Sequence, residues 1–258
     1  LVHLVALYRD ESEWAKAIEV INRRAERRFG RATDDWPLQQ SHFSCELAEL
    51  SIKRGLFQDA SRQVKAALAF DKRSTRASLL SIRLNLMGGD YLRAYKKLKK
   101  LIDSGCDYWV EITPLLGTAF RELDKPDYIW EYLLKLSAET KHETLISLVV
   151  LEAVCCKPEF DVKSYLKGLL DKDVSLPALL EVLEREDSLP ESSKAIKAMV
   201  IDQLQTYKNS LPVYICHSCG YTSKSLHWLC PACKSWGRSQ TNKSGGLKVN
   251  LLERSAEG

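Results

Sequence analysis

Two Cys-x-x-Cys pairs near the C-terminus constrain this chain more than any other feature: Cys216-His-Ser-Cys219-Gly220-Tyr221, then Cys230-Pro231-Ala-Cys233. Each pair sits on a tight turn, so two sulfurs reach one ion from a single bend. Two facing turns supply four thiolates in a tetrahedron, with metal–sulfur distances of about 2.3 Å for zinc. Iron accepts the same donors, so the spacing specifies one metal site and leaves zinc or iron open. Gly220 suits a turn position with positive φ, and Pro231 presets φ in the second turn. A pair of disulfides or a redox Cys-x-x-Cys is the competing reading, but two such pairs ten residues apart read first as a metal site. Four thiolates leave no open coordination position, which points to a structural or docking piece rather than a reaction centre.

Cys45, Cys106, Cys155 and Cys156 remain outside that site, and thiols left over in this way fit a reducing compartment. Three read as small buried hydrophobes. The vicinal Cys155-Cys156 pair offers only a weak redox signal. The net charge of +4 is too small to point to nucleic acid by itself. No apolar run reaches the roughly 18 residues of a membrane span, and Glu152 interrupts the longest one. Leu1 falls inside an amphipathic pattern with no basic stretch before it, so the chain reads as a soluble fragment lacking its original N-terminus.

Repeats organise the first half. Ala60 and Ala94 lie in matching segments 34 residues apart, the period of the tetratricopeptide helix–turn–helix. Ala17 begins an earlier copy, displaced by extra residues in the Arg27–Trp36 connection. A small residue is needed where paired helices cross closely, and a larger apolar group follows four residues later at Ile21, Val64 and Leu98. Gly55 and Gly89 stand five residues before their alanines as helix terminators. A fourth copy runs through Leu116-Gly117 and Phe120 to Ile129 and Leu133.

Helical periodicity continues in a helix over 144–156, another over 161–170, and a pair over 176–185 and 192–207. These read as degenerate or capping repeats. The expected fold class is all-α: a tetratricopeptide-repeat superhelical solenoid over 1–208, with a small metal knuckle over 212–237 and a polar tail over 238–258. Within the knuckle, Val213-Tyr-Ile215 reads as a strand into the first turn and His227-Trp228-Leu229 as the return strand into the second. Its connection to the helices is short, and Tyr214, Tyr221, Trp228 and Trp236 exceed what about 25 residues can bury. Docking on the helices is therefore expected, with the helix over 192–207 or the repeats before it as the platform.

Helical repeats running into Tyr214-x-Cys-x-x-Cys-Gly and ending at Trp236, with Ser41-His42-Phe43-Ser-Cys45-Glu46-Leu47-Ala48 upstream, resemble the lipopolysaccharide assembly protein B family. The resemblance covers essentially the whole chain, and the knuckle is its most specific part. It implies a rubredoxin-like metal domain on the cytoplasmic face of the bacterial inner membrane, in a protein held there by an N-terminal helix that this chain lacks. It also implies a non-enzymatic adaptor that regulates lipopolysaccharide biosynthesis. Its partners would be the membrane protease FtsH and lipopolysaccharide-synthesis proteins, and its action would be to promote proteolysis of the committed-step deacetylase. A homo-oligomer is compatible with the pattern. The tail beyond Trp236 is longer than the family leads one to expect.

The standard inner positions of the first helices place His42, Cys45, Glu49, Lys53, Arg76, Leu79, Arg83, Glu111 and Arg121 on a surface for protein partners. Of these, His42, Glu49, Lys53, Arg76, Arg83 and Arg121 are the candidate contacts, and the competing reading of each is an ordinary solvated face. The arginines suit a segment of acidic character. Cys216, Cys219, Cys230 and Cys233 are the metal candidates, and no catalytic constellation is found. Two other classes compete with the adaptor. One is a rubredoxin-type electron carrier, which lacks any sign of a flavin or haem partner. The other is a nucleic-acid-binding zinc ribbon in which Lys224, Lys234 and Arg238 flank Trp228 and Trp236 as stacking platforms. The runs Arg23-Arg24…Arg27-Arg28 and Lys96-Lys97…Lys99-Lys100 read as solvated helix faces.

Overall fold

A computed structural model describes residues 2–26, 36–124, 126–140, 142–157, 159–162, 164, 165, 168, 201, 202, 205, 209 and 211–242. The expected helices over 161–170, 176–185 and 192–207, the Arg27–Trp36 insertion and the tail after 242 lie wholly or largely outside these residues.

Two compact units divide the chain. The first comprises residues 1–107 with 228–238. It contains α1 (Val2–Asp10), α2 (Trp14–Glu26), α3 (Trp36–Lys53), α4 (Phe57–Phe70), α5 (Thr75–Met87) and α6 (Tyr91–Asp103). Helix pairing follows the alanine register. Ala17, Ala60 and Ala94 are completely buried, and Ile21, Val64 and Leu98 lie beneath them in the core. Only a methyl group fits where the paired backbones come closest, and the larger residue one turn later fills the space as they diverge. The hairpin turns close alike. Gly55 and Gly89 adopt φ of +74° and +76°. Beside them Leu56 N–H donates to Ser51 O, and Asp90 N–H to Asn85 O, both at 2.9 Å. This double closure satisfies the last carbonyls of α3 and α5 and turns the chain back on itself. Ser74 and Asp90 cap α5 and α6 by accepting the Ala77 and Arg93 N–H groups at 3.3 Å.

The second unit comprises residues 108–227 with 239–258. Its helices are α7 (Trp109–Glu122), α8 (Asp127–Thr140) and α9 (Glu143–Cys156). Ile112, Leu116, Phe120, Ile129 and Leu133 are fully buried, in the register expected of a fourth repeat. Gly117 belongs to close packing: a Cβ there would meet Leu148 Cδ1 at 2.9 Å. Glu152 of α9, the one strongly buried acid among the described residues, pairs with Arg121 of α7 at 2.5 Å.

A three-stranded antiparallel sheet follows, ordered β2-β1-β3, from β1 (Tyr214–Cys216), β2 (Thr222–Ser223) and β3 (Ser239–Thr241). Tyr214 faces Ser223 on one side and Thr241 on the other, and Cys216 faces Ser239. Two expectations are corrected here. His227-Trp228-Leu229 is not the return strand: Leu229 makes one isolated bridge to Trp236, and β2 comes earlier. Nor is the sequence after 237 all tail, because Ser239–Thr241 pairs along the whole of β1. Ser-Gln-Thr has no apolar alternation to reveal this, and the backbone ladder supplies the pairing instead.

Candidate metal centre

Side chains alternate across a strand, so β1 sends Tyr214 and Cys216 to one face and Ile215 to the other. Tyr214 and Cys216 are 2% and 1% exposed. After Cys216 the chain makes its first knuckle. Gly220 N–H donates to Cys216 O at 2.8 Å, and Cys216 N–H donates to Tyr221 O at 2.8 Å. The second knuckle repeats this pattern: Lys234 N–H to Cys230 O at 2.9 Å, and Cys230 N–H to Ser235 O at 3.0 Å. The residue after each second cysteine is left-handed, with φ of +77° at Gly220 and +57° at Lys234. The same local solution is thus built twice, once with glycine and once with a residue that has a side chain.

The two knuckles bring the Sγ atoms of Cys216, Cys219, Cys230 and Cys233 within 4.8 Å of one another. A zinc–thiolate tetrahedron with bonds of about 2.3 Å has sulfur–sulfur edges of about 3.8 Å, so the donor set suits one ion. Cys216 and Cys230 form the buried side of the group, Cys219 and Cys233 the exposed side. Ser235 Oγ lies 3.4 Å from Cys233 Sγ, within reach of a hydroxyl–sulfur hydrogen bond. Zinc and ferric or ferrous iron all fit an all-sulfur tetrahedron.

Residues 214–238 match the Rubredoxin metal binding domain family. Over 239 residues the chain is 26% identical to "Lipopolysaccharide assembly protein B" of Escherichia coli, covering 92% of this chain and 60% of that protein. The protein of the same name in Haemophilus influenzae is 24% identical over 245 residues, covering 92% of this chain and 59% of its own. The chain therefore spans about 60% of the length of these curated relatives. The resemblance carried by Tyr214-x-Cys-x-x-Cys-Gly and Trp236 thus extends along nearly all of this sequence.

The second knuckle does not project freely from the first unit. Trp236, 7% exposed, enters a core of Val5, Trp14, Ala17, Ile21 and Phe43. It meets Trp14 and Phe43 edge-on, with centroids 6.2 and 5.8 Å away. His42 lies flat against its indole, centroids 4.7 Å apart and planes 16° from parallel. Gly237, at φ +61°, allows the chain to pass over His42: a Cβ there would sit 3.4 Å from Nε2. Trp228 covers the neighbouring Arg76, whose guanidinium carbon is 6.0 Å from the ring centroid. Arg76 is 3% exposed and pairs with Glu46 at 2.9 Å and Glu49 at 2.8 Å.

Electrostatics follow from this burial. Burial, with the Arg76 charge adding, pulls the His42 imidazole down to about 3. Cys45 is pushed up to about 12, chiefly by burial, and remains a thiol. Burial works against the Arg76 charge, but Glu49 and Glu46 outweigh it and hold the guanidinium above its ordinary value.

In the second unit the sheet meets the start of α7. Tyr214 Oη donates to Glu111 Oε1 at 3.2 Å, and Tyr108 Oη donates to Ser239 O at 2.8 Å. Burial first, then Glu111, raises the Tyr214 phenol well above its usual value.

These contacts revise the expected partner surface. His42 and Arg76 are covered by the knuckle, Glu49 is engaged with Arg76, and Arg121 with Glu152. Cys45 and Leu79 are core, and Glu111 holds Tyr214. Lys53 and Arg83 are exposed. Helical phase reports which residues share a face, but nothing local reveals that a segment near residue 230 closes over it. Among the described residues the second knuckle meets α1–α3 and α5 and the sheet meets α7, on the repeats named as one of the two expected platforms; the other, the helix over 192–207, lies largely outside the described residues. Trp236, a stacking platform only in the competing nucleic-acid reading, is committed to the core, as the expected docking requires. Tyr221 remains 39% exposed, with His227 edge-on at 6.2 Å.

Proposed function

We propose that this chain is the helical-repeat and metal-ribbon part of a non-enzymatic adaptor that regulates lipopolysaccharide biosynthesis. The observation that carries the reading is the similarity to lipopolysaccharide assembly protein B along 92% of the chain, with the ribbon match at its C-terminal end. Within this reading the adaptor works on the cytoplasmic face of the inner membrane. It engages the protease FtsH and the committed-step deacetylase together and promotes proteolysis of the deacetylase.

The site chemistry is consistent with this. An ion held by Cys216, Cys219, Cys230 and Cys233 has a full thiolate shell and supplies structural cross-linking, not an open coordination site. The chain's own residues do the rest. Trp236 and His42 fix the second knuckle on α1–α3, and Tyr214 and Glu111 fix the sheet on α7. Lys53 and Arg83 stay open to solvent, which suits contact with an acidic segment of a partner.

The test is reconstitution of deacetylase degradation by FtsH in membranes, with and without the protein that carries this chain. Faster deacetylase loss in its presence, slowed by Trp236→Ala, is the expected result. An unchanged rate would overturn the reading.

A further inference from the structure

In the first unit, a groove of about 730 Å³ is lined by α5 and α6, by Leu68 near the end of α4 and by the α4–α5 connection. Its cations are Lys72, Arg73, Lys97 and Lys100. Hydroxyls line the α5 side at Thr75, Ser78 and Ser81, and Leu68 and Leu101 form apolar wall. Among the described residues that line it, none is acidic. Two nearby carboxylates are turned to other tasks: Asp71 Oδ1 accepts the Arg73 backbone N–H at 2.9 Å, and Asp90 holds Arg93 at 3.4 Å.

Helical spacing explains why the lysine run divides. Lys97, Lys100, Leu101 and Ser104 fall on one face of α6 and enter the groove, whereas Lys96 lies on the outer side, exposed. Lys97 Nζ donates to Ser81 Oγ at 2.7 Å, which leaves the Ser81 hydrogen and the other two ammonium hydrogens to donate elsewhere. Burial, and then the Arg93 charge with Lys65 adding, pulls the Lys97 ammonium below its usual value against the opposing effect of Asp90. A carboxylate placed beside it would reverse that direction.

From this geometry we infer that the α5–α6 groove binds an extended acidic peptide segment of a protein partner. Shape decides against a single phosphate. From Lys97 to Ser104 a helix rises about 10 Å, at about 1.5 Å per residue. An extended segment of about three residues spans that distance at about 3.3 Å each and can present carboxylates to cations along the groove. The apolar wall at Leu68 and Leu101 suits intervening hydrophobic side chains. The inference deepens the adaptor reading and takes its biological sense from it, but its test uses a synthetic ligand and so succeeds or fails separately from the degradation experiment.

The probe is a fluorescein-labelled hexapeptide of alternating Glu and Leu, followed by anisotropy on the full chain, with the Gln/Leu peptide as control. The Glu peptide should bind at least about tenfold more tightly than the Gln peptide, because charge-assisted hydrogen bonds are lost in the latter. Lys97→Gln with Lys100→Gln should weaken binding by about tenfold or more, and so should Lys72→Gln with Arg73→Gln, which leaves α6 untouched. The charge-matched Lys16→Gln with Lys96→Gln should stay within about twofold of the original affinity, since surface charges away from the site are screened. Equal binding of the two peptides, no binding, or indifference to both groove pairs would overturn the inference. So would displacement of the peptide by inorganic phosphate more effectively than by chloride at matched ionic strength, which would make the groove a phosphate site. Groove-dependent binding to phosphatidylglycerol vesicles without peptide binding would overturn it in favour of a membrane surface.

Discussion

His42 shows what burial does to a titratable group in this protein. It is 4% exposed, stacked on Trp236, and its pKa falls from 6.5 to about 3. The charges facing it come from Arg76, whose own partners are Glu46 and Glu49. An unfolded chain binds a proton near pH 6.5, while the folded chain resists until about 3. Stability is therefore present above pH 6.5 and lost as pH falls through that window, by at most about 1.4 kcal/mol per pH unit. His42→Phe keeps a flat ring against Trp236 and removes the titration. Its unfolding free energy, measured by denaturant titration between pH 6.5 and 4, should decline less steeply than that of the original protein. A parallel decline would show that His42 is not responsible. Arg76 is a second test at this scale. Truncating one member of a buried ion pair costs about 3–5 kcal/mol. Glu46 and Glu49 keep 25% and 32% of their exposure, which places Arg76→Ala near the lower end. Urea unfolding measures it directly.

Among the elements, α7 and the two knuckles carry the sharpest constraints. Gly117 has only 2.9 Å to offer a Cβ before Leu148, so α7 and α9 must separate or Leu148 must change rotamer in Gly117→Ala. Overpacking of this kind costs about 1–3 kcal/mol, and thermal unfolding should detect it even though alanine is the better helix former. The Leu116-Gly117 signature was legible in the sequence, as were the buried alanines, because both follow from the short approach of paired helices. The cysteine quartet was legible for a related reason: each knuckle is a local turn, and its ligands are two residues of one bend. Docking of the ribbon's aromatics was expected too, but which helical residues they cover escaped. His42 and Arg76 occupy inner helical positions just as the periodicity says, yet Trp228, Trp236 and Gly237 cover them from far along the chain. Strand β3 escaped because Ser-Gln-Thr is recognised only by its partner β1.

At the scale of the whole molecule the ribbon is placed by the helices as well as by its metal ligands. In the first unit its second knuckle contributes Trp236 to the core; in the second unit its sheet is held by Tyr214–Glu111 and Tyr108–Ser239. A module this small has little core of its own, and a structural zinc contributes roughly 10–16 kcal/mol to such folds. Without metal the four thiolates lose their common partner and the knuckle turns lose their strongest constraint. The helix hairpins keep theirs, because Ala60, Ala94, Val64 and Leu98 are packed by neighbouring helices. Cys219→Ser, or chelation of the ion, should therefore leave the helical circular dichroism nearly intact while hydrogen exchange accelerates across 214–241. If docking works as the contacts indicate, exchange should also rise around Phe43 in α3 and at the first turn of α7, where the ribbon's Trp236 and Tyr214 are received. It should change little around Val64 in α4, whose core includes Cys45, Ala67 and Leu80. Faster exchange confined to 214–241, with Phe43 and the start of α7 as protected as before, would mean that the helices do not depend on the ribbon. Loss of protection at Val64 as well would mean that the metal sustains the helical core itself.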